Sequence, residues 1–198
     1  MHQSAMQQPS SIKQFFTVRR LVLVGLMAAL VFVFTFIGFD IPSPLGKTKL
    51  HLGNVMCLLS GLLFGPLTGG LAAGIGSAIY DLMDPAWAPE FWITFINKFF
   101  MAFVAGLIMR AAFWKDGVRV WLAGVGGSVT YCVLYCLKNI LSGHIVNGFT
   151  WDVAIIETLT VKLPVTFVNG IIAVIAAGIL WAAIRPALKK AGLFSQML

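Results

Sequence analysis

Phe91-Trp92-Ile93-Thr94-Phe95-Ile96-Asn97-Lys98-Phe99-Phe100-Met101-Ala102-Phe103-Val104-Ala105-Gly106-Leu107-Ile108-Met109 reads as a helix long enough to cross a bilayer, with one charge in it. At about 1.5 Å per residue the stretch spans the roughly 30 Å of a hydrocarbon core. An ammonium at that depth costs about 2.5–3.5 kcal/mol on insertion scales, so a lysine there marks a cavity or a pathway unless it snorkels to the interface. The pattern recurs. Lys138 falls inside the apolar run from about Val120 to Leu141, and Lys162 inside the run from about Val161 to Ile184. Each lysine sits one to two turns from the same end of its segment.

Working outward, six spans are predicted: Leu21 to Phe39, a short one from Leu52 to Phe64, Leu67 to Met83 after a Gly65-Pro66 turn, Phe91 to Met109, and the two just named. Helix is expected because lipid offers the backbone no hydrogen-bonding partner, and the runs are too long for barrel strands. The fold class is therefore all-α, a polytopic six-helix membrane bundle over residues 18–190, preceded by a polar segment at residues 1–17. Of the 198 residues 59% are hydrophobic and 11% charged, and the mean hydropathy is +0.92. A soluble domain of this size cannot hide so much apolar surface. Arg19-Arg20 precede the first run, but no small-residue cleavage site follows before Asp40, so the run is read as an uncleaved span.

The net charge of +7 comes from residues flanking the spans, with no cluster suited to nucleic acid. Lys13, Arg19, Arg20, Arg110, Lys115, Arg119, Arg185, Lys189 and Lys190 share one side of the alternation. The positive-inside rule makes that side cytoplasmic, and both termini with it. Asp40, Asp81, Asp84, Glu90, Asp152 and Glu157 lie at or near the other side, where the longer loops also fall: Asp40 to Leu50, Asp84 to Glu90, and Ser142 to Thr160. The three cysteines, Cys57, Cys132 and Cys136, read as buried small residues, and the i,i+4 pair on one helix is poorly placed for a disulfide.

Helical spacing groups the polar residues. Gly124, Ser128, Tyr131, Tyr135, Lys138 and Ser142 form one stripe. Lys162, Thr166, Asn169, Ala173 and Ala176 form a second, and Gly70, Gly74, Ser77 and Asp81 a third. Small residues at one end allow close helix packing, while polar ends converge at the other. The stripes predict a half-depth pocket rather than a channel. Asp81 is open to two readings, a ligand acceptor or a structural partner of Lys98. Tyr131 and Tyr135 are either pocket walls or packing, and Trp87, Trp92 and Trp151 either ligand contacts or an interfacial belt.

The segments Lys49-Leu50-His51-Leu52-Gly53-Asn54, Leu62-Leu63-Phe64-Gly65-Pro66, Gly74-Ile75-Gly76-Ser77-Ala78 with Asp81-Leu82, and Thr94-Phe95-Ile96-Asn97-Lys98 resemble, in order and spacing, substrate-binding S components of energy-coupling factor (ECF) vitamin transporters. That resemblance implies a six-helix subunit of an ABC-type importer in a bacterial cell membrane. It would bind a small water-soluble vitamin and work with a transmembrane coupling protein and two cytoplasmic ATPases. It implies a small-residue patch for the coupling protein at Gly25, Ala28 and Ala29. It also implies a substrate site at Asn97, Lys98, Tyr131, Tyr135, Lys138, Asn139, Lys162, Thr166 and Asn169, with Pro44 to Lys49 as a lid and Trp87 contributing; beside these, Glu157 and Asp81 are read as acceptors in the pocket.

Rings with amide and amine donors suit a small flat heterocycle, with pyridoxine or hydroxymethylpyrimidine expected first and pantothenate or riboflavin as alternatives. Met1-His2 resembles the start of metal-transporting S components, but no apolar helix precedes Leu21, and His51 and His144 are too sparse for a metal cage. No metal or other cofactor is expected. The competing classes are an intramembrane enzyme, for which HExxH and GxSxG are lacking, and a self-sufficient secondary carrier, for which no internal repeat is seen.

Overall fold

The computed structural model describes residues 18–43, 46–111 and 115–190. The polar segment at residues 1–17, with Met1-His2 and Lys13, lies outside them, as does Pro44 of the expected lid. Among the described residues the chain forms six helices and one hairpin: α1 (Val18–Phe36), β1 (Gly38–Ser43), β2 (Gly46–His51), α2 (Gly53–Phe64), α3 (Pro66–Met83), a 3-10 turn (Ala88–Glu90), α4 (Phe91–Arg110), α5 (Asp116–Ile145) and α6 (Trp151–Lys190). Helices α1, α4, α5 and α6 are long and apolar enough to cross a membrane.

The brevity of α2 has a physical reason. Every one of its residues is buried, and it packs against all five other helices. It is the axis of the bundle rather than a lipid-facing span, so it needs no polar face. Gly61 lets the α4 backbone approach it, since a Cβ there would overlap the carbonyl oxygen of Ala102. Gly76 does the same for α1 and α3, its missing Cβ leaving room for the carbonyl of Ala28. The Gly65-Pro66 turn forms as expected, with Gly65 at φ +80°, a conformation glycine takes readily.

Three expectations need correction. The first loop is not irregular: Phe39 leaves the predicted first span to join an antiparallel hairpin whose register runs from Gly38↔His51 to Ser43↔Gly46. Much of the predicted loop from Ser142 to Thr160 is helical, because α6 begins at Trp151 and continues through a π turn at Thr158–Lys162. Ala28 is buried against α3, whereas Gly25 and Ala29 lie on the exposed face of α1.

At the bundle end away from the hairpin, Asp116 accepts hydrogen bonds from Arg119 and Arg185, tying the start of α5 to the last turns of α6. Cys57 is buried, Cys132 and Cys136 are half-buried, and all three are free thiols.

Candidate functional site

A cavity lies under the hairpin, where the polar ends of the helices meet. Its walls are Thr35 of α1, Ser77, Tyr80 and Asp81 of α3, Thr94 and Lys98 of α4, Tyr131 and Tyr135 of α5, and Thr166 and Asn169 of α6. Trp87 stands at the rim, and Thr48, Lys49 and His51 of β2 form the roof. The cavity is small, about 60 Å³. Drug-sized ligands occupy pockets of about 300–1,000 Å³, so the hairpin as placed is drawn down close to the floor.

Side chains from four directions hold the roof. Asn169 uses both ends of its amide: Oδ1 accepts the His51 N–H at 3.0 Å and Nδ2 donates to the Lys49 carbonyl at 2.8 Å. The hydroxyls of Thr48 and Tyr135 are 3.2 Å apart. Lys49 donates to the Tyr80 hydroxyl, and Ser43 donates to Glu157. Lys47 bridges Asp84 at 2.7 Å and Asp40 at 2.9 Å. The hydrogen bond from Lys47 holds the Asp84 carboxyl below its ordinary value of 3.8. Asp84, and then Asp40, in turn hold the Lys47 ammonium above its ordinary value of 10.5. His51 Nδ1 accepts the Gly53 N–H at 3.1 Å, which leaves the proton of the neutral ring on Nε2. Burial keeps that imidazole well below its ordinary 6.5.

Lys98 is 3% exposed and does not snorkel. It donates to Asn54 Oδ1 and sits 3.7 Å from the centroid of the Tyr131 ring, a cation–π contact. Among the described residues it makes no ion pair with Asp81, whose carboxylate is hydrogen-bonded to Thr94 instead. Of the residues expected at a substrate site, Lys98, Tyr131, Tyr135, Thr166, Asn169 and Trp87 share this cavity.

The other expected residues lie elsewhere. Lys138 is ion-paired with Glu90, which also accepts the Ser142 hydroxyl at 3.0 Å. Asn139 donates to the Tyr135 carbonyl at 2.7 Å and accepts from Lys162 at 3.2 Å. Glu157 and Lys162 are 4.0 Å apart across the π turn. These four belong to a polar cluster beside the cavity. Asn97 is buried but does not line the cavity. Sequence reasoning left Thr35, Ser77, Tyr80 and Thr94 out of the site. Thr94 and Lys98 are one helical turn apart, as are Ser77 and Asp81, and that spacing was the available signal.

This arrangement can bind but carries no nucleophile–base pair aimed at a common point. A family model for the ECF-type riboflavin transporter S component matches residues 15–186. The chain belongs to this S-component family. A UPF0397 protein of Streptococcus pneumoniae (strain Hungary19A-6) is 30% identical over 167 residues, covering 83% of this chain and 84% of that one. An uncharacterized protein of Pyrococcus woesei, from the gap 3' region, is 47% identical over 49 residues, and the match spans 24% of this chain and 33% of that protein. A solved S component of a bacterial ECF transporter superposes with a TM-score of 0.61 at 22% identity, covering 86% of this chain and 98% of that one, a likeness of fold. The chain is thus a multi-pass membrane subunit of a transport system and not an enzyme.

Proposed function

We propose that this S component captures a small water-soluble vitamin in the cavity beneath the β1–β2 hairpin, with the hairpin opening and closing over it. The observation that carries this reading is the roof itself. Its contacts to Asn169, Tyr135 and Tyr80 come from the same helices that supply the cavity walls, so occupancy and closure are coupled. The lysine- and arginine-rich end of the bundle faces the cytoplasm with both termini, and the cavity faces outward. Import then requires a transmembrane coupling protein and two ATPases, because the sequence has no GxxxxGK[ST] phosphate loop of its own. Gly25 and Ala29 on the exposed face of α1 are the proposed contact with the coupling protein.

For the substrate, the cramped cavity and its tyrosines favour a single-ring heterocycle, pyridoxine or hydroxymethylpyrimidine. Riboflavin is the second reading, favoured by the name of the matching family model. Pantothenate fits the lysine but leaves the aromatic wall without a partner. Melting curves of the detergent-purified protein with each of the four vitamins test this. A rise with a single-ring heterocycle is expected. A rise with riboflavin alone selects the second reading.

A further inference from the structure

Lys98 and Asp81 face the same cavity from α4 and α3 and attract each other across it, yet neither closes an ion pair. Lys98 is 3% exposed and Asp81 8%. Buried charges are ordinarily paired, because an unpaired one keeps most of its desolvation cost. This fold does pair its other deep lysines: Lys138 with Glu90 and Lys162 with Glu157. Lys98 instead meets the neutral carbonyl of Asn54 and the face of Tyr131. Asn54 is 1% exposed, and its own Nδ2 has no partner. Asp81 has only the Thr94 hydroxyl. Among the described residues no ion pair within 4.0 Å involves either group.

The cavity therefore offers one cation and one anion on separate walls, beside the Tyr131 and Tyr135 rings, whose centroids are 5.6 Å apart. A ligand that completes both charges has an anionic oxygen and a protonated nitrogen on one flat frame. An anion alone leaves Asp81 unmatched, and a cation alone leaves Lys98 unmatched. Resting on the reading of this chain as a vitamin-binding S component, we infer that the site selects dipolar heterocycles of the 3-hydroxypyridine type. Lys98 reads the ring oxygen, Asp81 reads the ring N–H, and Asp81 becomes a specificity-determining residue. Pyridoxine, which populates a dipolar form in neutral water, has this character. An aminopyrimidine offers donors to Asp81 but no anion to Lys98.

Calorimetric titration of the full-length protein with three ligands tests the inference: pyridoxine, the analogue with hydrogen in place of the ring hydroxyl, and the analogue methylated on the ring nitrogen. Loss of a charge-assisted hydrogen bond is expected to weaken wild-type binding of either analogue by roughly 10- to 150-fold. In Lys98→Met the hydroxyl-less analogue and pyridoxine are expected to bind nearly alike. In Asp81→Asn the same is expected of the N-methyl analogue. That cross-over between ligand and residue is not produced by a merely structural role, and the wild-type comparison stands even where a variant fails to fold.

Equal wild-type affinity for all three ligands overturns the inference, as does a uniform loss for every ligand in both variants. Binding of riboflavin, pantothenate or hydroxymethylpyrimidine without pyridoxine also overturns it, yet leaves the S-component reading in place. Absence of binding by any of these vitamins overturns both.

Discussion

On the proposed reading, Lys98 serves recognition at a cost to stability. Its ammonium is buried against a neutral amide and a ring, and replacing such a group by an apolar one of similar length is often neutral or stabilising. Lys98→Met is therefore expected to leave the melting temperature of the ligand-free protein unchanged or raised. Adding Asp81→Asn is expected to give no rescue, because there is no ion pair to repair. A fall in melting temperature that Asp81→Asn reverses would show the two groups to be structural partners. Lys98, Lys138 and Lys162 look alike in the sequence, each a cation near one end of an apolar run. What separates them is the position of Glu90, which reaches Lys138 from a turn far away in the chain, and of Glu157, which reaches Lys162 only across the π turn. Charge within a span was legible, whereas the identity of its partner required the tertiary fold.

In the proposed function closure depends on the hairpin, whose outer edge is held by charge. Asp84 is held below its ordinary value, so its contribution is present above about pH 4 and is lost as pH falls through the depressed value. Lys47 is held above its ordinary value, so its contribution is complete below 10.5 and is lost as pH rises through the raised one. The protection factors of the β1 and β2 amides, with the intrinsic pH dependence of exchange removed, are expected to be flat between these limits and to fall below about pH 4. Lys47→Met is expected to abolish the acid-side change. An unchanged acid response in that variant would place the latch elsewhere.

The sequence reading missed the hairpin because Pro42 argues against a strand. Pro42 is tolerated here because a two-stranded sheet consists entirely of edges. The π turn of α6 has no clear sequence signature. The six helices, in contrast, followed from the length and composition of their apolar runs, with ends displaced by a few residues except in α6, which begins at Trp151 rather than about Val161.

At the scale of the whole molecule, the proposed function puts ligand capture and partner contact on two separate surfaces. The cavity lies under the hairpin, and the exposed face of α1 carries small residues with open space around them. A Cβ at Gly25 meets nothing within 4 Å, so a larger side chain there disturbs no internal packing. Gly25→Leu and Ala29→Trp are expected to leave ligand affinity intact and to abolish uptake in proteoliposomes holding the coupling protein and ATPases. Uptake that survives both changes would remove α1 as the contact face. That the cavity beneath the hairpin is the vitamin site is tested most directly by titrating pyridoxine, hydroxymethylpyrimidine, riboflavin and pantothenate into the purified chain without any partner. Saturable one-to-one binding of one of them is expected, weakened about 5- to 150-fold by Tyr135→Phe if its hydroxyl is needed to close the roof, and weakened further by Tyr135→Ala. Absence of saturable binding, or binding indifferent to both Tyr135 substitutions, would contradict it.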